Sequence, residues 1–129
     1  MRVARGREGA PSEQRDATFT GRVWADPVLA AGGGIVVSDV FFEPGARTNW
    51  HTHEVAQVLY VVAGAGWLQR RDGVGFALSA GDTAHIEAGE EHWHGATPES
   101  YLLHLAVSVG ATNWLEPVSD ADYAGAFVD

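Results

Sequence analysis

Cysteine and lysine are both absent from the 129 residues. Without cysteine the chain has no disulfide, no thiolate metal site, no iron–sulfur cluster and no cysteine nucleophile. Without lysine it forms no Schiff base with a carbonyl substrate or with pyridoxal phosphate. No apolar run approaches the ~20 residues that a membrane span needs. The arginine-bearing start, MRVARGREGAPSEQR, lacks the apolar stretch of a secretory signal. Cytoplasmic residence with no membrane partner is the resulting expectation. Sustained helical periodicity is missing too, apart from a short pattern over residues 120–127.

Positive charge is scarce, with 8 basic against 17 acidic side chains, a net charge of −9 with histidine neutral. Residues 1–15 hold four Arg and two acids, net +2, whereas residues 16–129 hold four Arg and fifteen acids, net −11. A body of that sign repels a phosphate backbone, which excludes nucleic acid as a partner. The early arginines read as a flexible N-terminal tail over 1–15, with an interaction arm as the alternative. The remaining length, 16–129, fits a single domain. A hydrophobic content of 46% and five Trp can fill a core, so global disorder is excluded.

What is present is glycine-punctuated strand. Residues 35–42, 55–62, 67–70, 76–78, 83–87 and 101–109 are short runs rich in Val, Phe, Tyr, Trp and Thr. Glu43-Pro44-Gly45, Arg71-Asp72-Gly73 and Ser79-Ala80-Gly81-Asp82 supply turns between them, and Gly32-Gly33-Gly34 reads as a loop. Many short strands with regular turns predict an all-β sandwich or barrel.

The chemistry lies with the histidines. Five of six fall in three places: His51 with His53, His92 with His94, and His104. On a strand, residues i and i+2 face the same way, so His51 and His53 project together, as do His92 and His94. Gln57 interrupts an otherwise apolar strand, where it needs a hydrogen bond or a metal to offset its burial. Two His, an oxygen-bearing side chain and a distant third His form a sulfur-free site for a borderline to hard divalent metal. His104 shares a face with Leu102, Ala106 and Ser108, and reads equally as a pocket group or as a neutral core histidine. His85 alternates with Ala84 and Ile86 and is expected at the surface. Trp50, Trp67 and Trp93 read as core, with an aromatic pocket lining as the alternative.

Gly45-x5-His51-x-His53-x3-Gln57-x6-Gly64 resembles the first cupin motif, with Gln where Glu is usual. Gly81-x5-Glu87-x-Gly89-x2-His92-x3-Ala96 resembles the second, with Glu87 and Ala96 in place of the usual Pro and Asn. Beyond these motifs, Phe42-Glu43-Pro44-Gly45-Ala46-Arg47-Thr48, Trp50-His51-Thr52-His53, His92-Trp93-His94-Gly95-Ala96, His104-Leu105-Ala106 and Asn113-Trp114-Leu115-Glu116 are similar to the small bacterial cupin hydroxynitrile lyases. The resemblance spans roughly residues 19–123 and includes the unusual Gln. It implies a jelly-roll-like cupin barrel of two antiparallel sheets over 16–129. It also implies His51, His53, Gln57 and His92 as ligands to a divalent metal, manganese first, with iron, zinc or nickel as alternatives. His94, His104 and Thr48 follow from it as catalytic pocket residues.

The implied function is a metal-dependent lyase that cleaves or forms cyanohydrins, such as mandelonitrile to benzaldehyde plus cyanide. The alternatives are a metal-dependent cupin dioxygenase and a non-catalytic small-molecule-binding cupin. A small-molecule substrate is the expected partner. A homodimer or homotetramer is expected as well, because a barrel this small has sheet edges to cover.

Overall fold

In the computed structural model, which describes residues 1–126, alternating inward and outward side chains place one sheet's apolar rows against another's. The first sheet runs from β1 (Gln14–Arg15) through β3 (Val23–Ala31), β4 (Ile35–Phe42), β11 (Leu102–Val109) and β7 (Ala56–Arg70) to β9 (Thr83–Glu87). Every neighbouring pair in it is antiparallel. Residues 65–70 of β7 pass into a second sheet, between β8 (Gly75–Ser79) and β10 (His92–Ala96). There β10 pairs β5 (Arg47–Thr48) and β6 (His51–His53). The sheet is completed by β2 (Phe19–Thr20) on β5 and β12 (Thr112–Trp114) on β6. The result is the expected all-β barrel of two antiparallel sheets.

Strand β7 changes sheets at Ala63-Gly64-Ala65-Gly66. Gly64 has φ 85°, and a Cβ there would run into the Tyr101 carbonyl, so the bend requires glycine. The two strands expected at 55–62 and 67–70 are therefore one long bent strand. Strands β4 and β9 match their expected bounds, and the strand expected at 101–109 begins one residue later. Strand β3 was not anticipated, because Asp26, Pro27 and three alanines dilute its β-branched content. Its Asp26 accepts from Ser12 Oγ at 2.7 Å and from the Glu13 N–H at 3.1 Å, which ties residues 12–15 to the sheet.

Val23, Phe42, Leu59, Val61, Leu68, Ile86 and Leu102 fill the space between the sheets. A second cluster joins Trp50, Trp93, Val118 and Tyr123 beneath α1 (Asp120–Gly125), with Trp67 packed against it. Arg47 lies over the Tyr123 ring and donates to the Val118 carbonyl at 2.8 Å, pinning the C-terminal segment to the barrel. The helix expected over 120–127 is thus present at Asp120–Gly125, and Phe127 lies outside the described residues. Among the described residues, no helix is long and apolar enough to cross a membrane.

Candidate metal centre and histidine pocket

The short strand β6 is held between β10 and β12, with His51 opposite His92 and His53 opposite Thr112. Its alternation buries both His51 and His53 and leaves Thr52 between them half-buried. Strand β10 contributes His92 and His94, both buried. The first sheet brings Gln57 on β7 and His104 on β11. Together with Thr48, all of these except His92 line a cavity of about 250 Å³ between the sheets, and His92 borders it through its contacts with Gln57 and His51. His85 is exposed on the outside of β9, as expected.

Backbone carbonyls determine where the imidazole protons sit. His51 Nδ1 lies 2.9 Å from the Asn49 carbonyl, and His92 Nδ1 lies 2.8 Å from the Glu90 carbonyl. A carbonyl only accepts, so each Nδ1 carries the proton and each Nε2 presents a lone pair. His53 Nδ1 is 3.2 Å from Thr112 Oγ1, and its buried Nε2 has no partner among the described residues. Ligand nitrogens of His51, His53 and His92 lie within 4.8 Å of one another. Gln57 Oε1 sits 3.2 Å from His92 Nε2. Two lone-pair acceptors at that separation do not bond each other, but they suit a shared cation. Three imidazoles with outer hydrogen bonds and one amide oxygen could hold a divalent metal.

Beside this cluster stands a second pair. His94 Nδ1 is 3.0 Å from His104 Nε2, while His94 Nε2 and His104 Nδ1 are buried with no partner among the described residues. Thr48 Oγ1 accepts the His94 backbone N–H at 3.2 Å and so anchors the strand that carries the ring. One proton occupies the gap between the rings, so a neutral pair always has one bare nitrogen at an outer end. His104 is 0% exposed and lies against Phe42, which settles it as both a core residue and a pocket residue.

Burial is the largest influence on all five histidines and lowers each of them. His53 and His104 are lowered from 6.5 to about 4, and His51 and His94 lie well below 6.5. Among the described residues, none lining the cavity is Asp, Glu or Arg, so this lining is neutral at pH 7. A consequence follows for the metal-free protein. Below pH 6.5 the unfolded chain takes up protons that the folded one refuses until about 4, so stability falls with pH across that window. By pH 4, His104 alone should cost on the order of 3 kcal/mol. Urea midpoints of chelator-treated protein should therefore drop steadily from pH 7 to pH 5, and a flat profile would contradict the buried neutral assignment.

Known proteins share this fold. Residues 38–108 match the family model described as a cupin domain, and they contain β6, β7, β9 and β10 whole. The chain belongs to the cupin family. Across 81% of this cupin and 85% of the relative, it is 44% identical over 111 residues to a protein of Granulicella tundricola named (R)-mandelonitrile lyase. A crystal structure of a cupin-like protein from Thermotoga maritima superposes with a TM-score of 0.86 at 36% identity, covering 89% of this chain and 92% of that one. A second Thermotoga maritima protein, described as a predicted oxalate decarboxylase, shares the fold with a TM-score of 0.74 at 22% identity, covering 85% of this chain and 100% of that one.

The three tryptophans read as core in the sequence are core in the structure. Trp50, Trp67 and Trp93 pack in the second core cluster, and the cavity is lined instead by Phe19 and Trp114. Trp114 lies 4.6 Å from the His51 ring, centroid to centroid, and is 40% exposed at the mouth. Thr112 and Ser108, the partners of His53 and Gln57, also escaped selection as site residues. The alternation of β11 put Ser108 on the inner face with His104, but only cross-strand register reveals that it faces Gln57.

Proposed function

We propose that this cupin is a metal-dependent carbon–carbon lyase that cleaves, and in reverse forms, cyanohydrins of the mandelonitrile kind. The observation that carries the reading is a neutral donor set, His51, His53 and Gln57 in a neutral cavity with His92 at its border, beside the partnerless Nε2 of His94. The similarity to a protein named as a mandelonitrile lyase supports it. The donor set fits a divalent ion. Three imidazoles and one amide oxygen suit iron, nickel or zinc as well as manganese, and manganese is our assignment from the resemblance to the cupin hydroxynitrile lyases. Such an ion, when bound, supplies positive charge uncompensated by any ligand, which stabilises negative charge developing on the substrate oxygen and on cyanide.

The chain's own residues do the rest. A cavity of about 250 Å³ admits only a small substrate, and Phe19, Val40 and Ala106 give its aryl group apolar walls. His94 Nε2, bare when Nδ1–H donates to His104, accepts the hydroxyl proton. His104 Nε2 receives that Nδ1–H bond, which raises the basicity of the far nitrogen and spreads the resulting charge. The carbon–carbon bond breaks as the carbonyl forms, and its electron pair leaves with cyanide. His94 then returns the proton, so the products are benzaldehyde and hydrogen cyanide. Phe19 and Trp114, with ring centroids 5.9 Å apart, both line the cavity that holds the pair.

The test is incubation of the manganese-loaded protein with mandelonitrile, following hydrogen cyanide and dissolved oxygen together. Cyanide release with no oxygen uptake is the expected result. Oxygen consumption without cyanide would replace this reading with an oxidative one, and neither signal would leave a binding protein.

A further inference from the structure

We infer that Ser108 is a positioning residue that turns the Gln57 carboxamide so that its oxygen, and not its NH₂, faces the three histidines. The inference rests on the metal-centre reading above. Ser108 and Gln57 are direct cross-strand partners on β11 and β7, and both side chains line the cavity. Gln57 Nε2 donates to Ser108 Oγ at 3.1 Å, while Oε1 lies 3.2 Å from His92 Nε2.

An amide ligand has a difficulty that a carboxylate lacks. Its two ends are nearly equal in shape and opposite in function, since oxygen binds a cation and NH₂ repels one. The flipped amide has a ready partner here, because the bare His92 Nε2 would accept a hydrogen bond from NH₂. The metal-ready orientation therefore needs something to receive the NH₂ group on its far side. Ser108 Oγ is that acceptor. Its O–H can also donate to Oε1 of the flipped amide, so what separates the two orientations is the group each leaves unpaired when the hydroxyl is removed, an N–H or a carbonyl. Without the hydroxyl the oxygen-inward state leaves a largely buried N–H orphaned, which is rarer and costlier than an under-satisfied carbonyl. A glutamate at position 57 would present oxygen at either end and would not need the serine for orientation.

Manganese affinity measured by calorimetry tests this without reference to turnover. Ser108→Ala should bind manganese about 10- to 100-fold more weakly than wild type, the usual cost of losing an outer hydrogen bond to a ligand. Ser108→Thr, which keeps the hydroxyl, should restore affinity to within about 3-fold, a small part of that usual cost. Made in the Gln57→Glu background, the same Ser108→Ala change should cost less than about 3-fold, because orientation no longer matters. Equal cost in both backgrounds, or wild-type affinity in Ser108→Ala, would overturn the inference while leaving the metal centre standing. Failure of the wild type to take up any divalent metal would overturn the metal centre and this inference with it. Circular dichroism of each variant checks that the barrel is intact.

Discussion

His94→Ala is expected to keep its metal and to release cyanide from mandelonitrile about 10²–10⁴-fold more slowly than wild type. The four donors assigned to the metal lie on His51, His53, Gln57 and His92, so removing the neighbouring ring leaves that set intact. What disappears is the partnerless Nε2 that accepts the hydroxyl proton. His104→Ala should also slow turnover with metal retained, because its Nε2 lies 3.0 Å from His94 Nδ1 and shares that proton. Both rings pack against Phe42, His104 more closely at 5.2 Å between centroids against 6.0 Å for His94, so His104→Ala should add the larger loss of stability. The measurement pairs metal content with initial rates for both variants. If both stay metalled and fully active, neither ring is the base and the proposed proton path is wrong.

His51→Ala and His92→Ala should behave oppositely, losing metal and activity together. Each removes a lone pair whose direction is set by a backbone carbonyl, Asn49 for His51 and Glu90 for His92. The loss of affinity should exceed the ~10–100-fold that an outer contact costs. His85→Ala is the internal control. That ring is exposed on β9, and its loss should change neither quantity. Retention of stoichiometric metal by His92→Ala would exclude the assigned ligand set.

Much of the barrel was legible because strands announce themselves locally. The edges of β4 and β9 are marked by glycine or proline turns and by β-branched composition, and both ends of each were readable. Strands β2, β5, β6 and β12 are two or three residues long, too short for any periodic signal, and exist because neighbours pair with them. The bend in β7 was legible only as a break between two strands, since glycines punctuate and bend alike.

For the site, the period of two puts His51 with His53, and His92 with His94, on one face once each pair is taken as strand, and the apolar run around Gln57 shows that it needs a partner inside. Those are relations within one strand, and sequence spacing expresses them fully. Only the tertiary structure decided which strands meet. It placed Ser108 opposite Gln57, Thr112 opposite His53, and His104 within a hydrogen bond of His94. It also sent three tryptophans into a core beneath the C-terminal helix and put Trp114 and Phe19 around the cavity instead. Cross-strand register depends on turn geometry and on the packing of whole sheets, so a contact between residues 51 positions apart leaves no trace in the local pattern of either strand.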